Sequence, residues 1–152
     1  MGSEDIAARA SAQAPERLPS MWRRLRDALT PETTVRWAYL FGSGARGEPF
    51  RDLDVALMLA DDARGGVALG RVAAHLEEAV PEVPVDVVDL RSAAPLLAGK
   101  IVREGQVLID RDAQARRLWQ THANRRALDI EPWLERFERL RRKALEERAR
   151  RW

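Results

Sequence analysis

Gly42-Ser43-Gly44-Ala45-Arg46-Gly47-Glu48-Pro49-Phe50-Arg51-Asp52-Leu53-Asp54 joins two apolar segments, Val35 to Phe41 before it and Leu53 to Leu59 after it. Both segments are short and rich in β-branched, aromatic or aliphatic residues, which predicts strands, and Gly42 stops the first. Side chains alternate along a strand, so Leu53, Val55, Leu57 and Leu59 point one way while Asp52, Asp54, Ala56 and Met58 point the other. Carboxylates at i and i+2 share a face roughly 6.5 to 7 Å apart, given a rise of about 3.3 Å per residue. Two ionised aspartates that close repel each other unless a cation lies between them.

Oxygen donors of this kind suit Mg²⁺ or Mn²⁺. The sequence has no cysteine, and its two histidines, His75 and His122, stand far apart, so no zinc-type set competes. An Asp-x-Asp alone is weak evidence, because turns and strand ends produce it often. The glycines beside it add a second element. They leave little bulk around successive N–H groups, and a short helix starting near Ser43 would aim its free N–H groups at an anion. A phosphate chain fits there, with the Ser43 hydroxyl as a further donor. The Lys-Ser/Thr that closes a P-loop is missing. Arg46 and Arg51 are candidate phosphate contacts, each equally readable as a surface arginine. Asp86, in Val85-Asp86-Val87-Val88, is the candidate third carboxylate, because a charge within a strand that reads as buried is expensive without a partner. An edge-strand residue facing water is the plain alternative, and Asp89 is a weaker rival at the strand's end.

The rest of the chain predicts an α+β domain with one small mixed β-sheet of about four strands, helices packed mainly on one face, and C-terminal helices. Residues 1–17 read as a flexible tail and 18–152 as a single domain. Ser20 opens a helix carrying Met21, Trp22, Leu25 and Leu29, closed by Pro31. Val67 to Val80 predicts a second helix, and Val83 to Val88 a strand in which Pro84 marks an edge or a start. A short helix from Ser92 through Leu97 precedes a turn bracketed by Gly99 and Gly105, and Val107 to Ile109 is the last strand. Residues 113–128 and Pro132 to about Arg148 read as two separate helices, with the proline in the first turn of the second.

At 152 residues, 33% charged and 45% hydrophobic, the chain has the size and composition of one globular domain. It has no apolar run long enough to span a bilayer, its first residues, with Glu4, Asp5 and Arg9, do not read as a secretory signal, and the lack of cysteine is compatible with a reducing cytoplasm. Charge is uneven: residues 113–152 carry twelve Arg/Lys against six Asp/Glu, a net of +6. That end suits an acidic partner or a phosphate backbone, or it is a solvated helical surface.

Tyr39-Leu40-Phe41-Gly42-Ser43-Gly44-Ala45-Arg46-Gly47-Glu48 followed by Asp52-Leu53-Asp54-Val55-Ala56 resembles the signature of the nucleotidyltransferase superfamily that includes DNA polymerase beta, and its minimal, MNT-type members more closely. The resemblance covers about residues 35–140, including Ile101 to Asp112 and the junction Asp129-Ile130-Glu131-Pro132. It implies that Gly42 and Ser43 contact the phosphates of a nucleotide, that Asp52 and Asp54 bind divalent metal, and that Asp86 is the third acidic residue. It further implies ATP as donor, AMP transfer to a tyrosine hydroxyl, and an antitoxin role toward a helical HEPN toxin. Trp119, Trp133, Leu134, Phe137 and Leu140 would supply the docking face. A non-catalytic antitoxin that neutralises by binding, and transfer to a small molecule or an RNA end, stay open, as do nucleic acid as a partner and the oligomeric state. The loop before Asp52 is about two residues shorter than is usual, with Arg51 where a serine often stands.

Overall fold

Four strands form one sheet because four stretches of alternating apolar sequence find partners in the order β3-β2-β1-β4. The computed structural model describes residues 12–63 and 65–150. The strands are β1 (Val35–Phe41), β2 (Leu53–Leu59), β3 (Val85–Asp89) and β4 (Gln106–Asp110). β1 runs antiparallel to β2 and to β4, while β2 and β3 are parallel, so the sheet is mixed. The helices are α1 (Leu18–Leu29), a single turn α2 (Gly42–Ala45), α3 (Gly66–Ala79), α4 (Pro95–Glu104) and α5 (Ala113–Ala149). The α+β class, the mixed sheet and the terminal helical region agree with the sequence reading.

On one face of the sheet lies the main core. Met21, Leu25 and Leu29 of α1 and Val72 and Leu76 of α3 recur at helical spacing and meet Ala38, Leu40, Leu53, Val55, Leu57 and Leu59. Each fully buried leucine here contributes about 1.5–3 kcal/mol. A register shift between Val35 and Trp37 turns β1 over, so Val35 joins this core while Trp37, Tyr39 and Phe41 face the other side. There they form a smaller cluster with Ala56, Met58, Leu90 and Ile101, and Trp119 of α5 lies 6.3 Å from Trp37 and 6.1 Å from Tyr39, centroid to centroid.

Three local readings are corrected. Helix α5 is continuous, with Pro132 inside it. Proline removes one hydrogen bond and crowds the carbonyl four residues back. Here that residue is Leu128, which is 62% exposed, so water can take up its carbonyl. The second correction concerns Gly99, which is not in a turn but midway along α4, where a β-carbon would overlap that of Ala127 and keep α5 at a distance. Pro95, not Ser92, opens that helix. Finally, residues 12–17 hold structure that their composition does not announce: Gln13 is buried and pairs with Phe50, and Pro15–Arg17 form a 3-10 turn. The remainder of the predicted tail, 1–11, lies outside the described residues.

Arg111, just after β4, ties the sheet to α1. Its guanidinium donates to the carbonyls of Leu29, Thr30, Glu32 and Val35 at 2.6–3.1 Å, where the C-terminal end of α1 leaves acceptors without intrahelical donors.

Candidate active site

The end of β1 and the start of β2 lie side by side, with Phe41 opposite Asp54. β3 pairs with β2 on the other side and sets Asp86 opposite Asp54. Phe41, Asp54 and Asp86 therefore stand at one level across three strands and on one face. Asp52 precedes β2 by one residue and is half-buried, like Asp54, whereas Asp86 is exposed on the edge strand. The cost of burying a charge is thus not what accounts for Asp86; strand register is what brings it to Asp54.

Gly42 has φ of +81°, a conformation that side chains other than glycine's rarely adopt, and a β-carbon there would overlap Oδ2 of Asp54. The chain then makes the single turn α2, closed by the Arg46 N–H, which bonds back to the carbonyls of Gly42 and Ser43. The N–H groups of Ser43 and Gly44, in the first turn after the Phe41 cap, have no carbonyl one turn back to bond. Gly44 is buried against Leu18 and Phe50, with a built β-carbon 3.3 Å and 3.4 Å from their nearest atoms. Phe50 is itself 1% exposed and held by two backbone hydrogen bonds with Gln13. The short loop from Glu48 to Arg51 is therefore pinned from beneath.

Burial raises the Asp54 carboxyl above the usual range, and the charges of Asp52 and Asp86 push it further in the same direction. Lys100 and Arg46 pull it down. Lys100, on the exposed side of α4, is a site neighbour that the sequence reading missed, and its only signal was a lone lysine in an apolar helix. Arg46 donates to Glu48 at 2.9 and 3.0 Å and to Glu104 at 3.1 Å, so two carboxylates already hold it beside the loop. Arg51 is exposed. Among the described residues no three Asp, Glu or His side chains converge tightly enough to make a ready metal cage. The donor set nevertheless fits a hard divalent cation: the charges of Asp52 and Asp86 both reach Asp54, and Asp54 is held against a glycine with no room for a side chain.

A cavity of about 760 Å³ lies at the opposite end of β1 and β2, lined by Trp37, Met58, Leu90, Trp119, Arg36 and Arg91 among others. Asp89 borders it and accepts from the Arg91 N–H at 2.9 Å, three residues along β3 from Asp86. His75 contacts the buried Glu32, away from the carboxylates, and His122 lines the cavity.

The family model described as polymerase beta, nucleotidyltransferase matches residues 23–114, the stretch containing Gly42, Ser43, Arg46, Arg51, Asp52, Asp54, Asp86 and Lys100. The protein adenylyltransferase MntA of Shewanella oneidensis is 40% identical over 72 residues, which are 46% of this chain and 50% of MntA. The chain thus spans about half the length of that curated relative. Among solved structures, the toxin–antitoxin MntA–HepT superposes with a TM-score of 0.58 at 22% identity, over 84% of this chain and 98% of the other. A toxin–antitoxin structure with AMP-PNP superposes at 0.52 with 25% identity, over 83% and 96%.

Proposed function

Because the chain belongs to the polymerase beta nucleotidyltransferase family, we propose that it is a Mg²⁺-dependent enzyme that moves AMP from ATP to a hydroxyl, a tyrosine on a HEPN-type toxin, and so acts as an antitoxin. The observation that carries this reading is the alignment of Asp54 and Asp86 on adjacent strands, beside a glycine that can bear no side chain. The similarity to MntA and to a toxin–antitoxin structure with AMP-PNP supports ATP as donor and a toxin as acceptor.

In this reading Gly42 and Ser43 receive the phosphates on the free N–H groups of α2, with Lys100 and Arg51 supplying positive charge. Arg46 braces the loop through Glu48 and Glu104. Asp52, Asp54 and Asp86 hold the metal, which when bound polarises the phosphoryl oxygens and neutralises the charge that develops on them. The acceptor hydroxyl oxygen forms a bond to the α-phosphorus, the bond from that phosphorus to the bridging oxygen breaks, and pyrophosphate leaves. Asp86, exposed and facing solvent, takes the hydroxyl proton. Among the described residues no helix is long and apolar enough to cross a membrane, and we place the reaction in the cytoplasm, where ATP is at hand.

The test is to mix the purified chain with ATP labelled in its α-phosphate, Mg²⁺ and the toxin encoded by the adjacent gene. Label passing to the toxin, and lost when Asp52→Ala and Asp54→Ala are combined, supports the proposal. Toxin neutralised without label, and equally well by the double variant, would establish the binding-only antitoxin instead.

A further inference from the structure

Beyond Ala127, the last buried residue of α5, the helix runs on for more than twenty residues, all exposed except the half-buried Ile130 and Leu134. From Ile130 onward its large apolar side chains are not scattered. Ile130, Trp133, Phe137, Leu140 and Ala144 follow one another at spacings of three, four, three and four. With Leu134 and Leu145 they fall within an arc of about 140° at about 100° per residue. Trp133, Phe137 and Leu140 are 64%, 52% and 59% exposed, and the rings of Trp133 and Phe137 stack 5.6 Å apart. A heptad stripe of this kind is the seam of a two-helix coiled coil that lacks its second helix.

The charges along the same segment identify the second helix. Residues 129–138 carry Asp129, Glu131, Glu135 and Glu138 against Arg136, a net of −3, and residues 139–150 carry six Arg/Lys against Glu146 and Glu147, a net of +4. A copy of the helix laid antiparallel sets each acidic half against a basic half, whereas a parallel copy opposes like with like. The side-chain sizes agree with the same register. Antiparallel pairing about the 138–139 bond places Phe137 opposite Leu140 and Trp133 opposite Ala144, the largest residue of the seam against the smallest. Glu131 and Glu138 then flank the seam on the side of Arg148 and Arg141 of the copy. Ala127 lies roughly 17 Å from the pairing centre at a rise of about 1.5 Å per residue. The two globular domains would therefore stand at opposite ends of the rod without colliding.

We propose that this chain forms a two-fold symmetric dimer through an antiparallel coiled coil centred on residues 133–144. The interface is isologous, each subunit giving the same surface, and it is independent of the proposed catalysis.

Sedimentation or light scattering of the full chain tests it: the expected mass is about 34 kDa, twice the 17.2 kDa of one chain. Phe137→Glu combined with Leu140→Glu is expected to return the mass to that of the monomer, with helical circular dichroism of the globular domain retained because both residues are exposed in the single chain. The absence of native cysteine gives a direct reading of orientation. Phe137→Cys and Leu140→Cys proteins mixed under mild oxidation should cross-link with each other at least tenfold faster than either does alone. A monomer at tens of micromolar, a dimer that survives the double glutamate variant, or faster like-with-like cross-linking would each overturn the proposal. So would a native monomer whose stripe variants lose toxin binding, since the seam would then belong to the toxin.

Discussion

Gly42 and Asp54 occupy adjoining space so fully that a methyl group on residue 42 would overlap the carboxylate of residue 54. Gly42→Ala therefore strains the backbone at positive φ, at a cost of about 1–2 kcal/mol, and also displaces Asp54. Transfer activity should fall by about 10²-fold or more, since a displacement of about 1 Å suffices for that, while the protein stays folded. Assay of turnover beside a thermal melt checks both parts.

Asp54→Asn separates stability from activity. Burial, then Asp52 and Asp86, raise this carboxyl above its unfolded value, so the folded chain binds the proton more tightly than the unfolded one. Stability from this group is full below the unfolded aspartate range of about 3.9 and is lost as pH rises through the folded value. In metal-free buffer at pH 7 the asparagine variant should melt at a higher temperature than the parent, with the gap closing in acid, and transfer should be abolished. A lower melting temperature at pH 7 would show that the carboxylates do not crowd one another.

Lys100→Ala removes the cation that acts most strongly on Asp54. If it also meets the triphosphate, KM for ATP should rise by about tenfold, the scale of one charge-assisted contact, with a smaller change in kcat. Steady-state kinetics at saturating metal decide this.

Helix α4 reaches α5 only because Gly99 is bare where Ala127 crosses it. Gly99→Val should destabilise the fold by about 1–3 kcal/mol through overpacking, read as a lower urea midpoint at unchanged slope. Ala127→Gly in the same chain should recover part of the loss.

Arg111→Ala leaves the carbonyls of Leu29, Thr30, Glu32 and Val35 without their shared donor. The expected loss is about 2 kcal/mol in chemical denaturation, and Arg111→Lys should restore only a fraction, because an ammonium cannot span the fork.

The strands and the glycine–aspartate segment were legible because they depend on local rules: alternation, a stop at Gly42, and a carboxylate every second residue. The strand bounds of β1 and β2 match the reading residue for residue. What was illegible depended on distant neighbours. Gly99 looks like a turn residue until Ala127 is known to cross it, and Pro132 looks like a helix start because its tolerance depends on the exposure of Leu128. The shift at Arg36, which sends Trp37 and Tyr39 to the second face, leaves no trace in composition. Lys100 is the same case at the site, since its nearness to Asp54 exists only after α4 has packed. Asp86 reads from sequence either as a buried charge or as an edge-strand residue facing water; it is exposed on the edge strand, and only the register of β2 and β3 sets it opposite Asp54.

The parallel pairing of β2 with β3 also has a bearing on when the chain becomes chemically competent. Parallel neighbours cannot be joined by a tight turn, and here α3 must cross the sheet before Asp86 reaches Asp54. A nascent chain that has emerged only through β2 carries the glycine loop and two carboxylates but lacks the third. The proposed site would therefore be silent during synthesis and would switch on only when the edge strand docks, so that fragments and stalled products bind ATP poorly and transfer nothing.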